Sequence, residues 1–135
     1  MSALRIFIAD DEAPARERLK ELLNDIAGEL PTRIVGEARH GLEALELLPS
    51  SGAEVALLDI KMPGMSGLEV ARRIHASSPG VPIVLMTEPG EGSEREANAI
   101  AARLAGVFAT LTRPFDRRML AELVVALVVA SDVLA

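Results

Sequence analysis

Three aspartates, one hydroxyl and one cation stand where they could do chemistry together. Asp10 and Asp11 directly follow a first apolar run, Asp59 closes a third, Thr87 closes a fourth, and Arg113 follows a fifth. In an open parallel α/β sheet, ligands collect in the crevice at the carboxyl ends of the strands, so residues that follow strands are the ones able to meet. Three carboxylates in one crevice repel each other, and such a site either keeps a proton or recruits a cation. The chain has no cysteine and only two histidines, well separated, so that cation must be held by oxygen. Mg²⁺ fits, because it takes a couple of carboxylates, keeps several waters and completes its octahedron with phosphate oxygens. A carboxylate beside such an ion can attack phosphorus to give an acyl phosphate. Asp59 is the best-placed nucleophile, and the Thr87 hydroxyl and the Arg113 cation would hold the remaining phosphoryl oxygens.

The elements that must position these residues alternate between short apolar runs and amphipathic stretches of helical period, five times over. This predicts an α/β fold of (βα)5 type, a doubly wound parallel five-stranded sheet. The predicted strands are Leu4 to Ala9, Thr32 to Glu37, Val55 to Leu58, Val81 to Met86 and Val107 to Leu111. The first helix is expected from Ala13 to Ala27 with Leu19, Leu22, Leu23 and Ile26 inward; Pro14 is tolerated in its opening turn. Gly41 opens a second helix carrying Leu42, Leu45 and Leu48. Ser66 to Glu69 reads as a capping box for the third, Ser93 to Glu96 as one for the fourth, and Gly106 as the fourth helix's terminator. The fifth begins near Asp116.

Composition narrows the function. At 135 residues and 50% apolar content, residues 1–135 are expected to form one domain with a single core covered on both sides. The expected chain is soluble and cytoplasmic, with no membrane span or export signal. A net charge of -6 argues against direct nucleic-acid binding by this domain, and 2% aromatics leave no stacking platform.

The segments Ile8 to Glu12, Leu57 to Gly67, Met86-Thr87 and Thr112 to Phe115 together resemble the receiver domains of two-component response regulators, over essentially the whole chain. The run from Asp10 to Leu19 is similar in particular to receivers that precede a LytTR-type DNA-binding domain. The resemblance implies a flavodoxin-like strand order 2-1-3-4-5 and Mg²⁺ bound by Asp11, Asp59 and the backbone carbonyl of Lys61, with Asp10 assisting through water. It implies that Asp59 takes phosphate from a histidine kinase or phosphotransfer protein, and that the face of helix four, strand five and helix five then signals to an output domain or downstream protein. Apart from weak self-phosphorylation and autodephosphorylation, no enzyme activity is implied. The family's cis peptide would fall at Arg113-Pro114.

Three positions depart from the family pattern. Arg113 replaces the usual lysine, so a planar fork stands where a compact ammonium is common. Glu88 occupies a usually small position, where its charge opposes phosphorylation unless it points away. Thr110 replaces the aromatic residue that reports phosphorylation by rotating, with Phe108 as the nearest stand-in. These departures motivate an alternative, a receiver-like adaptor that binds its partner without phosphate.

Plainer roles stand beside the chemical ones. Asp10 and Asp11 could cap the first helix, Thr87 could be a β-branched strand residue, and Arg113 a surface ion-pair former. His40 and His75 read as solvated. The last helix, from Met119 to Leu134, has only Glu122 and Asp132 as charges, so it should bury more than one side; a homodimer through this helix, or an output partner, is expected.

Overall fold

The computed structural model describes residues 3–88, 103 and 106–134. In chain order these form β1 (Leu4–Ala9), α1 (Ala13–Ile26), β2 (Thr32–Ala38) and α2 (Gly41–Leu47), which runs into a 3-10 turn at Leu48–Ser50. Then come β3 (Val55–Asp59), α3 (Gly67–Ser77), β4 (Ile83–Thr87), β5 (Ala109–Thr112) and α4 (Arg117–Leu134), which is the fifth helix of the sequence expectation. The helix expected to open at Ser93 lies outside the described residues; its expected terminator, Gly106, has a φ of +74°.

All strand pairs are parallel and the order is β2-β1-β3-β4-β5, so the doubly wound, flavodoxin-like sheet is as anticipated. Parallel strands covered by helices on both faces bury successive side chains on opposite sides, which is why Val55 to Leu58 of β3 read as an unbroken apolar run. Leu58 and Leu85 point with Phe7 toward Val70 and Ile74 of α3, while Leu57 and Val84 point with Ile6 and Ile8 toward Leu19 and Leu22 of α1 and Leu120 and Val124 of α4. Ala9 pairs with Leu58, Asp59 with Met86, and Thr87 with Thr112, so the ends of four strands reach the same rim.

Local details correct several expectations. β4 starts at Ile83, two residues late, because Val81 turns back to the Ser78 carbonyl and Pro82 has no N–H to give a ladder. β5 starts at Ala109 and ends at Thr112. In α2 the buried residues are Gly41 and Ala44, and Leu42 is 63% exposed. Ser66 caps α3 by accepting the Glu69 N–H at 3.2 Å, yet Glu69 turns its carboxylate to Arg72 and Arg73 rather than back to the Ser66 amide. His40 caps α2, its Nδ1 accepting the Glu43 N–H at 3.2 Å, instead of standing free in solvent. His75 is exposed as expected but covers Gly106, where a Cβ would lie 2.5 Å from its Nδ1. The last helix buries Leu120, Val124 and Leu127 and leaves Met119, Val125 and Val129 exposed.

Candidate functional site

The crevice at the strand ends is built from the first, third and fifth β–α connections. β1 delivers Asp10, whose backbone N–H donates to the Ala38 carbonyl of β2 at 3.1 Å. Its carboxylate Oδ1 accepts the Glu12 N–H at 2.9 Å, the bond that an Asp ahead of a helix commonly makes. This is a turn bond made ahead of α1, whose N-cap residue, Glu12, makes no side-chain cap bond. β3 delivers Asp59, whose Oδ1 accepts the Lys61 N–H at 3.3 Å. Asp10 and Asp59 are 1% and 5% exposed, the only buried charged side chains among the described residues, while Asp11 faces solvent.

One oxygen from each of Asp10, Asp11 and Asp59 lies within 4.8 Å of the others. Ligand oxygens on opposite sides of Mg²⁺ are about 4 Å apart, so this spacing is close to that of one coordination shell. The donor set is all oxygen and anionic, which suits a small hard cation.

Arg113 reaches into the same crevice from the loop after β5. Its Nη2 donates to Asp10 Oδ2, and its Nη1 lies 3.3 Å from both Asp59 Oδ1 and Glu88 Oε1. The residue is followed by a cis peptide to Pro114, as the resemblance implied. Glu88, the departure expected to burden the site, is thus turned to the guanidinium. Thr87 stands at the end of β4, but its hydroxyl is 3.2 Å from the Thr112 hydroxyl. Thr110 is exposed and Phe108 is 41% exposed.

Burial dominates the electrostatics. It pushes the Asp59 carboxyl from 3.8 up to about 6; Arg113 opposes the shift, while Asp10 and Asp11 add to it. Partial burial works against the Arg113 charge, but the nearby Asp10 and Asp59 carboxylates outweigh it and raise its pKa.

The structure also brings in a residue that sequence reasoning passed over. Arg16, one turn into α1, donates from Nη1 to the Asp10 carbonyl oxygen at 2.6 Å. Its position six residues after Asp10, inside the Asp10 to Leu19 run, was the available signal.

Comparison with known proteins agrees with this architecture. A family model of the response regulator receiver domain matches residues 6–125. The protein-glutamate methylesterase/protein-glutamine glutaminase 5 of Myxococcus xanthus is 36% identical over 114 residues, covering 84% of this chain and 31% of that protein. The cyclic di-GMP phosphodiesterase response regulator RpfG of Xanthomonas campestris pv. campestris is 39% identical over 119 residues, covering 87% of this chain and 30% of that one. The chain therefore spans less than a third of either relative. Among solved structures, the signal receiver domain of the response regulator NarL from Mycobacterium tuberculosis superposes with a TM-score of 0.81 at 28% identity, over 93% of this chain and 96% of that one. With the family match running from β1 into the C-terminal helix, this chain belongs to the response regulator receiver domains of two-component systems.

Proposed function

We propose that residues 1–135 act as a single phosphoacceptor module, cytoplasmic, in which Asp59 takes a phosphoryl group from a histidine kinase or phosphotransfer protein. The observation behind this reading is the meeting of Asp10, Asp11 and Asp59 oxygens within 4.8 Å, with Arg113 bonded to the Asp10 and Asp59 carboxylates. Asp11, Asp59 and the backbone carbonyl of Lys61 would hold Mg²⁺, Asp10 assisting through water. Bound there, the ion supplies neutralising charge for the entering phosphoryl group.

The chain's own residues do the rest. An Asp59 carboxylate oxygen forms the bond to phosphorus as the donor's phosphorus–nitrogen bond breaks, and the imidazole leaves with the bonding pair. Burial has already stripped water from the Asp59 carboxylate, so the nucleophile meets phosphorus with little desolvation left to do. Arg113 changes acceptors from the carboxylates to a phosphoryl oxygen, and Glu88 holds its other edge during the exchange. Thr87, released from Thr112, donates to a second oxygen. The readout runs through the β5 and α4 face to an output domain or downstream protein, with the exposed Met119, Val125 and Val129 pairing two copies. The domain itself makes no nucleic-acid contact and catalyses no turnover beyond slow loss of its own phosphate.

Incubation with Mg²⁺ and a small phosphodonor should add one phosphate to the wild-type chain and none to Asp59→Asn, read by intact mass. An unmodified wild-type mass at saturating donor rejects this reading. A phosphate-independent adaptor is the second reading, favoured by the engagement of Arg113 with three carboxylates. It predicts partner binding that Asp59→Asn leaves unchanged.

A further inference from the structure

Arg16 touches no acidic oxygen in the crevice, yet it is tied to the loop that carries two of the three aspartates. Its Nη1 donates to the Asp10 carbonyl oxygen at 2.6 Å, and its Nε lies 3.5 Å from Glu37 Oε1 on β2. Its side chain is only 14% exposed. Glu37 is itself held by Lys20, Nζ to Oε2 at 2.8 Å, so a cation–anion–cation relay runs from α1 to the edge strand and back. Asp10 N–H is on Ala38, the residue next to Glu37. The peptide units on both sides of Asp10 are thus anchored, one by β2 backbone and the other by the Arg16 fork. A planar guanidinium serves a carbonyl and a carboxylate from the fixed directions of a rigid fork, whereas an ammonium donates from a single rotatable nitrogen.

We infer that Arg16 is a positioning residue for the acidic site, fixing the Asp10–Asp11 loop so that its carboxylates and that of Asp59 face one divalent ion. The inference deepens the functional reading above by giving the Asp10 to Leu19 run a physical purpose. Groups that orient metal ligands without touching the metal commonly matter by about 10- to 100-fold in affinity or activity.

The sign of the effect separates positioning from plain electrostatics. Removing a cation from beside a cation site lowers repulsion and should tighten Mg²⁺ binding. Loosening the ligand loop should weaken it. Calorimetric titration with magnesium chloride of the wild-type chain, Arg16→Gln and Arg16→Lys decides. Positioning predicts Mg²⁺ affinity about tenfold weaker in Arg16→Gln. It predicts a smaller weakening in Arg16→Lys, where the charge is retained and the fork is lost. In metal-free protein, amide hydrogen exchange at Asp11 and Glu12 should quicken in both variants, while the β3 amides stay as protected as in wild type. Unchanged or tighter Mg²⁺ binding in the two variants overturns the inference. Should Arg16→Gln fail to fold, Arg16→Lys carries the test alone, and wild-type affinity there overturns it. Phosphate uptake by wild-type protein is scored separately: if it fails while the Mg²⁺ affinities shift as stated, the functional reading falls and the role of Arg16 stands.

Discussion

Arg113 and Asp59, 54 residues apart in the chain, meet at 3.3 Å at the rim of the sheet, where the guanidinium also holds Asp10. The protein thus carries its own cation in a crevice that two buried carboxylates would otherwise make unfavourable. A cation on a flexible side chain can yield to a divalent ion or swing to a phosphoryl oxygen, which a fixed neutralising group could not.

Arg113→Ala should destabilise metal-free protein at neutral pH by about 2 kcal/mol. Breaking a buried pair typically costs more, but this guanidinium is a fifth exposed and Asp59 can take up a proton. Urea unfolding with a chelator should show the loss, and saturating Mg²⁺ should restore most of it. Equal losses with and without Mg²⁺ would mean that the metal and the guanidinium do not share these oxygens.

The Asp59 contribution to metal-free stability should become unfavourable as pH rises. The Asp59 carboxyl is raised from 3.8 to about 6, so between these values the folded state binds more protons than the unfolded one, and the slope of unfolding free energy against pH is negative. At 1.36 kcal/mol per unit the contribution is about 3 kcal/mol, absent below pH about 4 and complete above pH about 6. The difference between wild-type and Asp59→Asn unfolding profiles isolates it from other titrating groups. A flat difference across that window would show that Asp59 is not proton-coupled to folding.

Gly67→Ala should cost about 3 kcal/mol and impair phosphate uptake. A Cβ there would stand 2.2 Å from the Asp59 carbonyl oxygen and 3.0 Å from Ile60 Cα, both backbone atoms that can yield only by moving the strand end that carries Asp59. The contrasting variant is Gly80→Ala, where the added carbon meets nothing within 4 Å and stability should stay near wild type. Thermal unfolding of the two variants checks the prediction.

Val129→Lys should abolish self-association while leaving the folded domain intact. Val129 is 56% exposed and Val125 46% exposed on the same α4 flank, so the substitution lies outside the buried core but places charge in the proposed apolar contact. Sedimentation of wild type and variant at high concentration, phosphorylated and unphosphorylated, reads the outcome. A wild-type chain that remains monomeric throughout removes the homodimer from the proposal.

Much of this protein is legible in its sequence. A strand buried on both faces is apolar along its length up to the rim, and a helix on a sheet must be apolar every three or four, so Val55 to Leu58 of β3 and α1 announce themselves by composition alone. Because parallel strands put their carboxyl ends on one rim, residues following those strands group as a site from sequence order alone. Asp10, Asp11, Asp59 and Arg113 do converge there.

What the tertiary structure decided lies in contacts between residues far apart in the chain. That Arg113 engages Asp10 across 103 positions, that Glu88 turns to Arg113, and that Thr87 bonds Thr112 all depend on strand register and side-chain direction, which local pattern does not encode. The elevated pKa of Asp59 is a property of the surroundings packed over it, and Leu42 stays exposed because α2 turns Gly41 and Ala44 inward instead. Local periodicity specifies which face of an element is apolar; only the packed whole specifies which neighbours a buried charge must share.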